Sequence, residues 1–192
     1  MMGKTHAVIG ANTVWITTLV IAGFSWHPAL PLFGALGGLL PDLDAPESMA
    51  KHLRVSVGSR RNRLSIEPLA LPSLIFSTLF GHRGVLHSLF GLAVFSAIAI
   101  FGVRWLEPRV PFLPPESSIL LILGYASHLV ADSFTQYGIK YFWPSDRRYH
   151  LLPQFLTWSV QSAKGKFIEL IISLLLSVTL IVWLLRSSQM LN

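Results

Sequence analysis

The sequence predicts an all-α fold: a polytopic membrane helical bundle of about four long transmembrane helices plus one or two short or re-entrant helices, organised as a single domain over residues 1–192. Three observations carry this expectation. Hydrophobic residues make up 52% of the chain and charged residues 12%, whereas a soluble domain carries about 25% charged residues because its surface must be solvated. The mean hydropathy is +0.57. Several charge-poor stretches also approach the ~20 residues that a helix needs to cross a bilayer. A length of 192 residues suits one compact unit.

Taken in order, the first apolar stretch covers residues 7–25, contains no charge and follows Lys4. Ser25-Trp26-His27-Pro28 offers no small-x-small cleavage site, so the stretch reads as a retained helix rather than a signal peptide. Residues 29–40 are too few to span upright. Gly34, Gly37 and Gly38 permit close packing, so a hairpin with the first helix is expected. Residues 51–63 form a basic loop with Lys51, Arg54, Arg60, Arg61 and Arg63. Residues 69–80, broken by Pro68 and Pro72, reach only about 18 Å as a helix and read as an interfacial or re-entrant piece. Residues 85–103 and 119–139 are each long enough to cross, the second with His128 and Asp132 inside it. Residues 167–185 form the strongest span, with Glu169 near its start as the only charge. No internal repeat or low-complexity segment is visible.

The net charge of +6 is explained by basic loops beside an anionic lipid surface, so membrane lipids are the expected partners and no specific nucleic acid is. Lys4, the 51–63 loop and the 140–166 loop carry most of the positive charge. The positive-inside rule puts these three on the cytoplasmic side, provided that residues 69–80 do not cross.

On this topology the unusual polar residues converge on one face, the cytoplasmic one. His6 begins the first helix, Pro41-Asp42-Leu43-Asp44 ends the second, and His82-Arg83-Gly84-Val85-Leu86-His87 opens the third long stretch. His128 and Asp132 lie late in the fourth. Zero cysteines exclude disulfides and thiolate sites, so a metal here must take nitrogen and oxygen ligands. His128 and Asp132 are four apart and lie ~40° from each other on a helix, so both reach one ion; the bland alternative is a His–Asp bond stapling helices. Asp42 suits a bridging carboxylate and Asp44 a ligand or an orienting group, against a simple helix cap. His82 and His87 would stand about 140° apart on one helix, so His82 is expected in a turn before Gly84 and His87 in the helix. Arg83 suits bidentate contact with a phosphate, or equally a lipid headgroup. Glu169 either stabilises its helix N-terminus or completes the site.

The ordered set His6, Gly37-Gly38-Leu39-Leu40-Pro41-Asp42-Leu43-Asp44, His82-Arg83-Gly84-Val85-Leu86-His87-Ser88 and Gly124-Tyr125-Ala126-Ser127-His128-Leu129-Val130-Ala131-Asp132 resembles the YdjM-type family of bacterial inner-membrane proteins. Trp143-Pro144 and Gly165-x-x-x-Glu169 extend the resemblance over nearly the whole chain. Members of this family are described as predicted membrane-bound metal-dependent hydrolases, distantly similar to zinc-dependent phospholipases C and related nucleases. The resemblance implies an inner-membrane location and a divalent metal, zinc first, with one or two ions. It implies ligands among His6, Asp42, His82, His87, His128 and Asp132, to which the turn reading adds Asp44. The chain lacks a second His-x-x-x-Glu pair and begins Met-Met-Gly, which argues against a three-metal site.

The leading expectation is a hydrolase that cleaves a phosphoester, with membrane lipids among the candidate substrates, Asp42 and Asp132 as proton acceptors and Arg83 as phosphate holder. A metal-ion or proton transporter is the second reading, weakened by the crowding of candidates at one face. A non-catalytic protein whose polar residues fix helix packing is the third.

Overall fold

The structure is a computed structural model that describes residues 1–21, 23–44, 55–57, 64–66 and 84–189. Five α-helices organise the described residues: α1 (Gly3–Val20), α2 (Leu30–Leu39), α3 (Leu89–Leu106), α4 (Ser117–Asp132) and α5 (Ala163–Gln189). A short ribbon accompanies them, β1 (Val55–Val57) paired antiparallel with β2 (Leu64–Ile66) in the register Val55↔Ile66, Ser56↔Ser65, Val57↔Leu64. The fold is all-α as expected, and this ribbon is a small addition to it. Its Val-Ser-Val and Leu-Ser-Ile strings alternate with the period of two that a strand favours.

Helix α2 packs between α1 and α4, α3 lies against α4, and α5 lies against α1. Glycine makes the central crossing possible. A Cβ on Gly34 would meet the Gly10 carbonyl oxygen at 2.3 Å, and one on Gly124 would meet the Gly34 carbonyl oxygen at 2.1 Å. The three backbones therefore touch where any side chain would force them apart, the small-residue packing expected for helices in lipid. Near the α2 N-terminus, Val14, Leu30 and Leu120 form a fully buried cluster, and nearer its C-terminus Tyr125, Leu129 and Ile139 form another.

Two helical segments, Leu89–Arg109 and Ala163–Ser187, are long and apolar enough to cross a membrane. Their surfaces face outward: only 17% and 6% of the respective apolar windows are buried, and Phe101, Leu170, Leu174 and Leu185 are among the exposed side chains. The expectation of four long spans is thus matched by two. Helix α1 turns Thr5, His6, Asn12, Thr13 and Thr17 inward, which lowers its apolar character. Helix α4 is 16 residues long and stops at Asp132 rather than near residue 139. The Ser133 hydroxyl donates to the Val130 carbonyl at 2.6 Å and the Thr135 hydroxyl to the Asp132 carbonyl at 2.8 Å, closing the last turn locally.

Helix α5 is attached to α1 by polar contacts. Asn12 Nδ2 donates to the carbonyls of Val8 and Leu176, and Asn12 Oδ1 accepts from Trp15 Nε1 and Thr179 Oγ1, all within 3.0 Å. The amide is satisfied on all its donors and two acceptor sites. The 69–80 stretch lies outside the described residues. The residues on either side of the 45–83 interval return to one place, however, since Asp42 and His87 stand 3.5 Å apart. At the other end of the bundle, Ser25, Trp26 and His27 share a cleft with Pro111, Phe112 and Glu116. The α1–α2 and α3–α4 connections therefore lie together, as the alternating topology requires.

Candidate metal centre

The cluster is assembled from the ends of four elements. His6 comes from the first turns of α1. Asp42 comes from the 3-10 turn Leu40–Asp44 that continues α2. His87 lies in the 3-10 turn Val85–His87 just before α3, not in the helix as expected. Ser88 starts that helix, its hydroxyl accepting from the Gly91 N–H at 3.1 Å. His128 and Asp132 come from one face of α4, as their spacing of four predicts. His6, His87, His128 and Asp132 are essentially without solvent exposure, and Asp42 is the more open member at 17%.

The interatomic distances are short throughout. His128 Nε2 lies 3.2 Å from His87 Nε2, 3.7 Å from Asp42 Oδ1 and 3.8 Å from Asp132 Oδ2. His87 Nε2 lies 3.5 Å from Asp42 Oδ1 and 3.8 Å from Asp132 Oδ2. His6 Nε2 lies 3.2 Å from Asp132 Oδ1, and the His6 ring stacks on His128 with centroids 3.6 Å apart. The amino nitrogen of Met1 also contacts Asp132 Oδ1.

The second nitrogen of His128 settles what the ring presents to the centre. His128 Nδ1 sits 2.8 Å from the Gly38 carbonyl, which only accepts, so Nδ1 carries the proton. The neutral ring then offers an Nε2 lone pair to a space already bordered by two carboxylates and a second imidazole. Lone pairs so arranged need cations or protons between them, and the outer carbonyl on the far nitrogen is the usual support of a metal-bound histidine. The residues fit a divalent ion in two overlapping sets, His6–Asp42–His128 and His87–His128–Asp132, with one donor atom per residue and the donors of each set within 4.8 Å of one another. His6 Nδ1, buried and without a hydrogen-bond partner among the described residues, adds an orphaned donor. Burial acts to raise the Asp42 carboxyl, but the histidines around it, His128 foremost, hold it below the usual carboxylate range.

Of the residues that the sequence singled out, His6, Asp42, His87, His128 and Asp132 are brought together. Asp44 ends the 3-10 turn, and its side chain lies outside what is described, as do His82 and Arg83 altogether. Glu169 is buried in the second turn of α5, not the first. Its Oε2 accepts from the Met2 N–H at 2.7 Å and the Thr5 hydroxyl at 3.1 Å, tying α5 to the start of α1 beside the cluster. Sequence reasoning passed over Tyr125, whose hydroxyl donates to the Leu86 carbonyl and so braces the turn bearing His87. Its place three residues before His128, on the same helix face, was the available signal.

A helical membrane protein with a buried histidine–aspartate cluster at one end of its bundle is the class defined by this fold and site. The family model described as YdjM inner membrane protein matches residues 1–189, and the chain belongs to that family. It is similar to the inner membrane protein YdjM of Escherichia coli (strain K12) and that of Shigella flexneri, 34% identical to each over 141 residues, which cover 73% of this chain and 61% of theirs. The chain thus matches less than two thirds of the length of those two relatives. It is also 30% identical over 153 residues to an uncharacterized protein, YvsG, of Bacillus subtilis (strain 168), covering 79% of this chain and 78% of that one. No solved structure matches it.

Proposed function

We propose that the protein is a membrane-bound metal-dependent hydrolase acting on a phosphoester, with its metal centre at the cytoplasmic side of a bacterial inner membrane. The observation that carries the metal reading is the His128 ring: its proton is committed to Gly38, and its Nε2 points at His87, Asp42 and Asp132. Imidazole and carboxylate without thiolate suit zinc, as one ion or as two sharing His128. The step to hydrolysis draws on the resemblance to zinc-dependent phospholipases.

A divalent ion held there would supply Lewis acidity, polarising a phosphoryl oxygen and acidifying water. The chain's own groups divide the remaining work. Asp132 is enclosed and held by His6 at 3.2 Å, which fixes its orientation. Asp42, the more exposed carboxylate, is reachable by a water, so it is the better placed proton acceptor. Arg83 remains a candidate phosphate holder from its place in the sequence.

A lipid phosphoester is favoured by an apolar groove of about 520 Å³ between α1, α4 and α5. It begins at Met1, beside Asp132, and extends to Ile16 and Leu176, a channel suited to an acyl chain. The test is phosphoester turnover by the zinc-loaded protein on soluble and lipid phosphoesters. Turnover abolished in Asp42→Ala and His128→Ala is expected. Zinc binding without turnover on any phosphoester would overturn the hydrolase reading.

A further inference from the structure

A second cavity, about 440 Å³ in volume, opens on the other flank of the cluster, with His87 in its wall. The opposite wall comes from the segment after α4. Tyr137, Gly138, Ile139, Lys140 and Arg148 line it, and Val160 and Gln161 complete the lining. Ile139 and Tyr149 exchange backbone hydrogen bonds of 3.1 and 2.9 Å as an antiparallel bridge. Lys140 and Arg148 each sit next to this bridge in sequence and line the same cavity. The Leu89 N–H donates to the Tyr141 carbonyl at 2.9 Å, which fixes this bridge against the start of α3, two residues from His87.

Two like charges lining one cavity repel. Here that cost is only partly offset. Lys140 Nζ meets Asp146 Oδ1 at 2.5 Å, but Asp146 is almost fully exposed, and a contact in water screens little of a neighbouring cation. Arg148 donates from Nη1 to the Tyr137 carbonyl at 3.0 Å, which orients the guanidinium without neutralising it. Lys140, Arg148 and Asp146 together leave one surplus positive charge at a cavity whose inner wall is a residue of the metal cluster.

We infer that this cavity is an anion subsite in which Lys140 and Arg148 hold the phosphate group of the substrate against His87. The inference rests on the phosphoester reading for the identity of the anion, and it names the substrate class as a phosphate ester, or the headgroup of an anionic phospholipid, that enters beside the bridge. A planar guanidinium and an ammonium lining one cavity give directed and non-directed donors to one tetrahedral anion.

The experiment uses the full chain in detergent, loaded with zinc. Inorganic phosphate is titrated by calorimetry into the unsubstituted protein and into Arg148→Ala, Lys140→Ala and, as a control cation at the far end of α3, Arg104→Ala. In a parallel arm, binding to phosphatidylcholine vesicles with and without phosphatidic acid is measured for the same proteins. Arg148 is exposed, so its loss should leave the melting temperature and zinc content unchanged. A drop in phosphate affinity of about tenfold for each of the first two variants, the scale of one charge-assisted hydrogen bond, with Arg104→Ala unaffected, is the expected result. The same ranking seen only on phosphatidic acid vesicles supports the subsite and identifies the headgroup as its source. Unsubstituted protein that binds neither probe, or variants that bind as well as it does, would overturn the inference. Phosphate binding that needs Arg148, in a protein with no phosphoester turnover, would keep the subsite and sink only the hydrolase reading.

Discussion

At the scale of single residues, the cluster depends on what holds each donor in place as much as on the donors. His128 is fixed from behind by the Gly38 carbonyl, and His87 is held through Tyr125, which reaches across from α4 to the Leu86 carbonyl. Tyr125 also stacks on Phe95 with centroids 4.8 Å apart, so its ring is anchored independently of its hydroxyl. Tyr125→Phe should therefore keep the fold while loosening the turn that presents His87. Zinc affinity measured by competition with a chelating dye is expected to fall by roughly tenfold, the low end of what supporting partners of metal ligands contribute. An unchanged affinity would show that His87 is positioned by its backbone alone. Much of this was legible in the sequence because His128 and Asp132 share a helix face and Asp42 closes a helix. The bracing by Tyr125 and the meeting of Lys140 and Arg148 at one cavity were not, since each depends on where segments come together in space, which spacing along the chain does not encode.

At the scale of elements, α2 is a short helix whose value lies in its small residues. A side chain at Gly34 would collide with the Gly10 backbone, and α2 is what carries Asp42 to the site. Gly34→Val should cost about 1–3 kcal/mol or more from overpacking, seen as a lower melting temperature together with loss of bound zinc. The attachment of α5 to α1 is a separate matter. Asn12→Leu removes the contacts to Leu176 and Thr179 and should cost about 1 kcal/mol, the range found for polar contacts between membrane helices, with zinc content preserved. The reading of α1 and α4 as full spans was the weakest part of the sequence reading. Hydropathy counts apolar residues along the chain, whereas the buried hydroxyls of α1 and the Ser133 and Thr135 contacts that end α4 are set by neighbours in space.

At the scale of the whole molecule, helix direction decides where the cluster assembles. The His27 side of the bundle gathers the α1–α2 and α3–α4 connections, and the other end gathers every member of the cluster. The absence of cysteine from the sequence makes this directly testable. Single cysteines in place of Ser25 and Ser145 should be labelled by an impermeant maleimide from opposite sides of the membrane, Ser145→Cys from the cytoplasm. Labelling of both from one side would contradict the two-ended bundle.

The central claim, that the histidines and aspartates of four elements hold a divalent metal, is tested most directly by metal content. The protein purified without chelators, and its His128→Ala and Asp132→Asn variants, would be measured by plasma mass spectrometry alongside circular dichroism to confirm folding. The account predicts about one or two zinc ions per chain in the unsubstituted protein, with most or all lost in both variants at unchanged helicity. A folded, metal-free protein that takes up no added zinc, or variants that retain the full complement, would contradict it.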